Sequence, residues 1–145
     1  MPETAIIPEE IVDEEGIGRL VFSPSMVVDG RLSPTAFKLR MLNSGPEEYV
    51  SVWRLDYITP TRENAIRPPK DNELFGYASI RAGECRRITF GGIKTDVKPY
   101  PTKTYPFHAG IHFYKLGTAI KGVCQDPGFI GITKILANKC SLVRL

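Results

Sequence analysis

Long apolar segments are missing from this sequence. The longest stretch without Asp, Glu, Lys or Arg is Thr104–Tyr114, which has 11 residues and contains two histidines and a proline. A transmembrane helix needs roughly 20 predominantly apolar residues, so this stretch is too short to cross a bilayer. The first residues also lack the basic start and apolar core of a secretory signal. We therefore expect a soluble cytoplasmic protein with no membrane partner.

Cysteine and the common catalytic motifs are also scarce. The three cysteines, Cys85, Cys124 and Cys140, are odd in number, and no two have the spacing of a zinc or redox motif. We expect free thiols in a reducing compartment. The chain contains no phosphate-binding glycine loop, no Gly-x-Ser-x-Gly and no His-Glu-x-x-His. The sequence thus predicts no metal and no cofactor, and it leaves open whether the protein is an enzyme.

Charge is present but unevenly distributed. Hydrophobic residues make up 42% and charged residues 24% of 145 residues, enough for one packed domain. Residues 1–15 contain six acidic residues and no Lys or Arg, whereas the remainder has 19 basic and 10 acidic residues, a net charge of +9. We predict an acidic N-terminal arm, 1–15, and a single domain, 16–145. The arm is either solvated and mobile, or it lies over a basic surface that otherwise receives nucleic acid or an acidic partner.

The stretch Tyr49–Ile58 predicts a central β-strand. Val50 and Val52 would point to one face of the sheet, and Trp53 and Leu55 to the other. Because both faces carry large apolar groups, we expect both to be covered. The chain has a single tryptophan, so we expect the core to assemble around it.

The remaining segments predict an α+β fold. Asp126-Pro127 is a typical start for a C-terminal helix, which we place at Pro127–Asn138. We expect a single domain with a roughly five-stranded mixed or antiparallel sheet, this helix, and short N-terminal helices. Besides the central strand, the predicted strands are Leu74–Ile80, Cys85–Phe90, Ile93–Val97, Phe107–Phe113 and Cys140–Leu145, and the predicted short helices are Pro24–Val28, Pro34–Leu39 and Arg62–Ile66.

His108 and His112 are the most suggestive pair of side chains. On a strand they share one face, with Gly110 between them and about 13 Å between their α-carbons. That separation is too large for two ligands of one metal, whose bonds are near 2 Å. Gly110 would leave a dip that has room for a ligand or another backbone. Either one histidine acts as an acid/base or phosphate ligand, or both are partly buried and hydrogen-bonded.

Arg54 and Asp56 would share a face of the central strand. A buried arginine is costly unless it is paired. The two side chains therefore form an ion pair with each other or across strands, or Arg54 points into a cleft and binds phosphate or carboxylate.

The densest basic run lies within residues 81–98, and three tyrosines follow it. Mixed basic and aromatic residues suit single-stranded nucleic acid, although a solvated sheet face would have the same composition. The basic residues are Arg81, Arg86, Arg87, Lys94 and Lys98, and the tyrosines are Tyr100, Tyr105 and Tyr114.

The short motifs Ser-x-x-Ala-Phe, Ser-Val-x-Arg, Ala-Gly and His-Ala follow one another in this order along the chain. Together they resemble a pattern found in small bacterial and phage-associated proteins with no known activity. The resemblance implies a shared feature and a link to mobile or defence-related gene neighbourhoods. The matching segments are Ser33–Phe37, Val50–Arg54, Ala82–Glu84 and His108–Ala109, and the residues of the shared feature would be Ser33, Phe37, Ser51, Arg54 and His108.

These observations predict a small binding or interaction module, and the resemblance implies that it is part of a bacterial defence or mobile-element system. It would engage a protein, or alternatively nucleic acid, through a basic face. The alternative is a small enzyme that acts on nucleic acid or a nucleotide, with Ser51, Arg54 and His108 as catalytic residues. A third interpretation is a structural subunit whose arm docks on a neighbour. The binding residues of the basic face would be Arg81, Arg86, Arg87, Lys94, Lys98 and His112.

Overall fold

The structure, a computed structural model, describes residues 7–145, which form twelve strands, two α-helices and one 3₁₀ helix. The helices are the 3₁₀ helix Pro34–Phe37, α1 (Ala82–Arg86) and α2 (Pro127–Lys139). In chain order the strands are β1 (Gly16–Ser23), β2 (Val27–Val28), β3 (Arg31–Leu32), β4 (Met41–Leu42), β5 (Gly45–Pro46), β6 (Val50–Arg54), β7 (Glu73–Arg81), β8 (Thr89–Phe90), β9 (Ile93–Pro99), β10 (His108–Lys115), β11 (Thr118–Ala119) and β12 (Ser141–Arg144).

One large antiparallel sheet organises the described part of the chain. Its strand order is β12-β7-β1-β6-β10-β9-β8, and β11 also pairs with β10. Two separate hairpins, β2-β3 and β4-β5, complete the strands. The prediction of a mixed α+β fold with an antiparallel sheet and one main C-terminal helix is confirmed. The predicted number of about five strands is wrong, because the described residues place eight strands in this sheet.

The two faces of the sheet bury different residues. On one face, which we call the helix face, Phe113 packs edge-on against Phe129 of α2, with ring centroids 5.0 Å apart. Val52 lies opposite Ala109 in the β6–β10 pairing, so it shares that face. Trp53 is 3% exposed but points to the other face, which we call the far face. The predicted central tryptophan is therefore buried on the side away from α2.

The prediction missed the two-residue strand β11 and the long strand β1. Strand β1 lies between β7 and β6 in the sheet, and its apolar residues Ile17, Leu20, Val21 and Phe22 are all buried. Gly16 and Gly18 both lie within the strand. At Gly18 the missing β-carbon makes room, because an added one would lie 2.9 Å from a methyl carbon of Leu55.

Two predicted short helices do not form. In place of Pro24–Val28, Val27 and Val28 pair with β3 across Asp29-Gly30, whose positive φ angles of 52° and 74° suit a tight hairpin. In place of Arg62–Ile66, residues 62–64 form a turn and no helix follows. There the side chains and amides of Thr61 and Asn64 bond each other at 2.7 and 3.2 Å, which closes a single turn.

The predicted strand Cys85–Phe90 is also wrong. Its first half belongs to α1, and only β8 remains of it. The amide of Ala82 donates to the carbonyl of Glu15 at 2.8 Å, and that of Gly83 donates to Asp13 at 2.9 Å. Because the first amides of a helix lack partners within the helix, these distant carbonyls stabilise α1.

The C-terminal helix α2 begins where the sequence predicts. The Asp126 carboxylate accepts a hydrogen bond from the Gly128 amide at 2.8 Å, and Pro127 occupies the first turn. Phe129, Ile132 and Leu136 are each no more than 2% exposed. No helix among residues 7–145 has the length and apolar character needed to cross a membrane.

Candidate functional site

A cavity of about 140 Å³ opens on the far face of the sheet, where β1, β6 and β10 lie side by side. Its walls are mainly apolar and aromatic. The polar side chains among its lining residues are Arg19, Ser51 and His108, and the other lining residues are Leu20, Phe22, Trp53, Ile66 and Tyr105.

Arg19 occupies the place where β1 and β6 separate. The β1–β6 pairing ends at Gly18 and Trp53. Beyond that point the Arg19 guanidinium forms hydrogen bonds to two carbonyl groups. Its Nε donates to Ala36 at 3.0 Å and its Nη1 donates to Ser51 at 3.1 Å. The register pairs Gly18 with Trp53, so the Arg19 side chain leaves the strand on the helix face, and its guanidinium satisfies carbonyl groups at the gap. Arg19 is at the same time one of the residues that line the cavity.

The charge of Arg19 has no paired carboxylate among the described residues. Glu47, whose charge acts on it, is bound through both carboxylate oxygens to Arg40, at 3.0 and 3.1 Å. Arg19 is only 9% exposed, and this burial lowers its pKa to about 10. At neutral pH the guanidinium is still protonated, so it is a buried and uncompensated positive charge.

His108 presents a nitrogen that can accept a hydrogen bond. Its Nδ1 lies 3.1 Å from the carbonyl oxygen of Tyr100, and because a carbonyl only accepts, Nδ1 carries the hydrogen. Burial lowers the pKa of His108 below the usual 6.5, so the ring is neutral at pH 7. Its Nε2 then has a lone pair, and no described residue donates to it.

Ser51 contributes its hydroxyl group to the same cavity. It faces Gly110 in the β6–β10 pairing, and its carbonyl holds Arg19. The hydroxyl has no hydrogen-bond partner among the described residues, and no hydrogen bond joins it to His108. Two of the three predicted catalytic residues, Ser51 and His108, thus line one cavity, but they do not form a hydroxyl–imidazole pair.

Arg54 lies elsewhere. It is 1% exposed and forms a two-point ion pair with Glu15, at 2.7 and 2.8 Å. Its Nη1 donates to the carbonyl of Pro8 at 2.6 Å, and its Nη2, which also donates to Glu15, donates to the carbonyl of Glu10 at 3.2 Å. The bond to Glu15 raises the pKa of Arg54. The expected pair with Asp56 does not form, so Arg54 fastens the N-terminal segment and does not reach the cavity.

The described part of the acidic arm, residues 7–15, lies against the body. Ile11 is 1% exposed, Glu15 pairs with Arg54, and Asp13 pairs with Arg86 at 2.8 Å. The first six residues of the predicted arm lie outside the described residues.

The predicted basic residues fall into separate groups. Arg86 is bound to Asp13 and also to Asp96, at 3.1 Å, so its charge is compensated. Arg81 and Arg87 lie beside Asp13, Glu14 and Glu84, around α1. Lys94 and Lys98 lie on β9, where they face Tyr114 and Gly110 of β10. The role of these five residues and of His112 in binding stays a prediction.

Aromatic rings form a strip beside the cavity, which we call the tyrosine strip and define as Tyr49, Tyr100, His112 and Tyr114. Tyr49 and Tyr100 stack in parallel with centroids 4.2 Å apart, and His112 stacks on Tyr114 at 5.9 Å. The Tyr100 hydroxyl is hydrogen-bonded to Nε2 of His112, and burial lowers the pKa of His112. Sequence reasoning had singled out Tyr100, His112 and Tyr114 of this strip, but not Tyr49.

The dip predicted at Gly110 exists and is filled. A β-carbon at Gly110 would lie 2.4 Å from the ring of Tyr49, so the missing side chain lets this ring lie on the strand. His108 and His112 flank it on the same face and contact different atoms of Tyr100. No group of three or more His, Cys, Asp or Glu within residues 7–145 could hold a metal ion.

Sequence reasoning missed Arg19. The signal for Arg19 was that it is a single charged residue in the otherwise apolar stretch Ile17–Phe22. The glycines nearby obscured the strand pattern of this stretch. Of the residues in the resemblance, Ser51 and His108 line the cavity, whereas Ser33 accepts a hydrogen bond from Thr35 at the start of the 3₁₀ helix. Comparisons of the chain with protein families, with curated proteins and with solved structures found no match.

Proposed function

We propose that this protein is a ligand-binding module and that the cavity beside Arg19 is its binding site. The ligand, or the part of it that enters, has an apolar and flat body with an anionic group. The observation that carries this proposal is Arg19 itself, a buried guanidinium without a carboxylate partner among the described residues.

The guanidinium of Arg19 lacks an anionic partner among the described residues. A guanidinium has five N–H groups, and two of those on Arg19 donate to carbonyls, which supply dipoles but no negative charge. Burying a charge is costly unless an opposite charge accompanies it. A carboxylate or phosphate can accept two parallel hydrogen bonds from one guanidinium, so an anion would both satisfy the remaining donors and compensate the charge.

The walls and volume of the cavity define the rest of the ligand. Trp53, Tyr105 and Phe22 line it, and a flat ring would bury apolar area against them. Its volume of about 140 Å³ is close to that of an engineered apolar cavity, roughly 150 Å³, that holds benzene. His108 adds an acceptor nitrogen, which favours a ligand that also carries an N–H or O–H donor.

Benzoate is the probe that tests both halves of this proposal. It combines a ring with a carboxylate, benzamide keeps the ring without the charge, and acetate keeps the charge without the ring. Binding is measured by calorimetry and by the rise in melting temperature, which a ligand present at about 100 times its Kd increases through roughly 2.7 kcal/mol of stabilisation. We expect benzoate to bind more tightly than either control compound.

Two variants locate the site. Arg19→Lys keeps the charge but removes the two-point geometry, so benzoate affinity should fall about tenfold or more. Arg31→Lys, on the exposed hairpin strand β3, is the matched control and should bind as the parent does. If Arg19→Lys does not fold, His108→Gln serves instead. The proposal would be refuted if benzoate and benzamide bound equally well, or if Arg19→Lys bound benzoate as tightly as Arg31→Lys does.

The second candidate is a small enzyme that acts on nucleic acid or a nucleotide. The observation that favours it is that Ser51 and His108 line one cavity. In this scheme His108 acts as the base and Ser51 as the nucleophile, and Arg54 has only the structural role given by its bond to Glu15. Turnover of p-nitrophenyl phosphate that disappears in His108→Ala, with the fold retained, supports this candidate. Absence of turnover in the parent protein removes it.

A further inference from the structure

The cavity and the tyrosine strip are continuous on the far face. In the sheet register His108 lies opposite Trp53, and Gly110 lies between Ser51 on one side and Lys98 on the other. Facing residues of paired strands share a face of the sheet. Neighbouring strands are about 4.8 Å apart, so Lys98 lies roughly 10 Å across the sheet from Ser51 at the cavity. One bound chain could therefore contact both places.

The strip carries two lysines that have no carboxylate partner among residues 7–145. Lys94 and Lys98 are both exposed, and the Lys98 ammonium donates to the Tyr114 hydroxyl at 2.6 Å. Asp96 lies between the two lysines on β9, but its carboxylate accepts from Arg86 at 3.1 Å and from the Val97 amide at 2.7 Å. The cations that face solvent here are thus free to meet an anionic ligand.

The rings between these cations are partly accessible. Tyr49, Tyr100 and Tyr114 are half-buried, and Tyr105 at the cavity is 36% exposed. Aromatic rings on a sheet, interleaved with lysines, are the features that hold unpaired bases by stacking and their phosphates by charge. Tyr49 and Tyr100 already stack on each other, and His112 stacks on Tyr114, so a base would extend these stacks at their accessible ends. In a duplex the bases are already stacked on each other, so their faces are not available to such rings.

We propose that the far face binds single-stranded nucleic acid. Arg19 contacts one phosphate or terminal phosphate at the cavity, Lys94 and Lys98 contact the adjoining backbone, and bases lie on the tyrosine strip. This proposal rests on the proposed function, because Arg19 is the anion site in both. The net charge of the whole chain, +3, adds a weak long-range attraction to the local charge of the two lysines.

Fluorescence anisotropy with a labelled oligothymidylate of about eight nucleotides tests this proposal across a salt series. Three phosphate contacts predict a slope of about −2 in log affinity against log salt, since each contact on a single strand contributes about 0.7. Lys98→Gln should make that slope shallower by about 0.7. Lys134→Gln, an identical charge change at an exposed site of α2, is the control and should change neither affinity nor slope.

A second variant separates stacking from charge. Tyr114→Leu should weaken oligothymidylate binding about fivefold or more and leave the salt slope unchanged, because it removes a ring but no cation. A duplex of the same length should bind more weakly than the single strand. Circular dichroism and the melting temperature verify that both variants are folded.

The outcomes distinguish this proposal from the one on which it rests. Benzoate binding without oligothymidylate binding overturns the nucleic-acid proposal and retains the cavity. Equal affinity for duplex and single strand, or equal effects of Lys98→Gln and Lys134→Gln, also overturns it. If neither probe binds, both proposals fall.

Discussion

The replacement of Glu15 by glutamine tests the energetics of the N-terminal segment. Glu15 and Arg54 are 2% and 1% exposed, and two hydrogen bonds of 2.7 and 2.8 Å join them. Glutamine retains the size of the side chain and removes its charge. Because Arg54 stays buried, its guanidinium would then lack compensation.

The expected loss of stability is large for one substitution. Removing one partner of a buried ion pair costs about 3–5 kcal/mol, mainly because the other charge is left buried. The total free energy of unfolding of a domain of this size is about 5–15 kcal/mol. With roughly 2–4 °C of melting temperature per kcal/mol, Glu15→Gln should melt roughly 6–20 °C below the parent. The segment that holds the first amides of α1 should loosen at the same time.

Urea denaturation followed by circular dichroism gives the free energy of unfolding, and limited proteolysis reports on residues 7–15. The control is Glu48→Gln, which removes the same charge from the Glu48–Lys121 pair, whose side chains are 57% and 51% exposed. It should have no measurable effect, because solvent screens such a pair. If Glu15→Gln is no less stable than Glu48→Gln, the buried pair does not stabilise the fold as argued.

Two further predictions concern the far face. Burial lowers the pKa of His108 and His112 below 6.5, so the unfolded chain takes up protons first, and stability should be lost as the pH falls through 6.5. Denaturation of a His108→Gln, His112→Gln double variant should show a flatter pH dependence, and an equally steep one would contradict the assignment. Gly110→Ala forces the Tyr49 ring away and should cost about 1–3 kcal/mol of unfolding free energy. Gly16→Ala, whose β-carbon would have no contact closer than 3.7 Å, is its control, and equal stability of the two variants would exclude the close contact.

Local signals in the sequence were sufficient for much of the architecture. Asp126-Pro127 indicated the start of α2 correctly, because capping depends on residues two or three positions apart. Alternating apolar residues indicated β6, β7, β9 and β10 within a few residues of their ends. The predicted strand count was too low because β1 contains glycines and β11 is only two residues long, so both have weak periodicity.

The candidate site could be predicted only in part. His108 was chosen because its strand placed a histidine beside a glycine, and it lines the cavity. Ser51 was chosen because it belongs to the Ser-Val-x-Arg motif of the resemblance. Neither signal could indicate Arg19. Its position depends on a gap between β1 and β6, and the two residues bonded there, Arg19 and Ser51, lie 32 residues apart in the chain.

The sequence by itself determined the class of fold, the position of α2 and the side chains available for binding, because these depend on local propensity and alternation. The tertiary structure decided what each arginine does. Arg19 and Arg54 both stand in apolar strands, yet Arg54 meets Glu15 from 39 residues away and Arg19 meets only carbonyls. Compensation of a buried charge depends on which groups folding brings within about 3 Å, and spacing along the chain does not specify that distance.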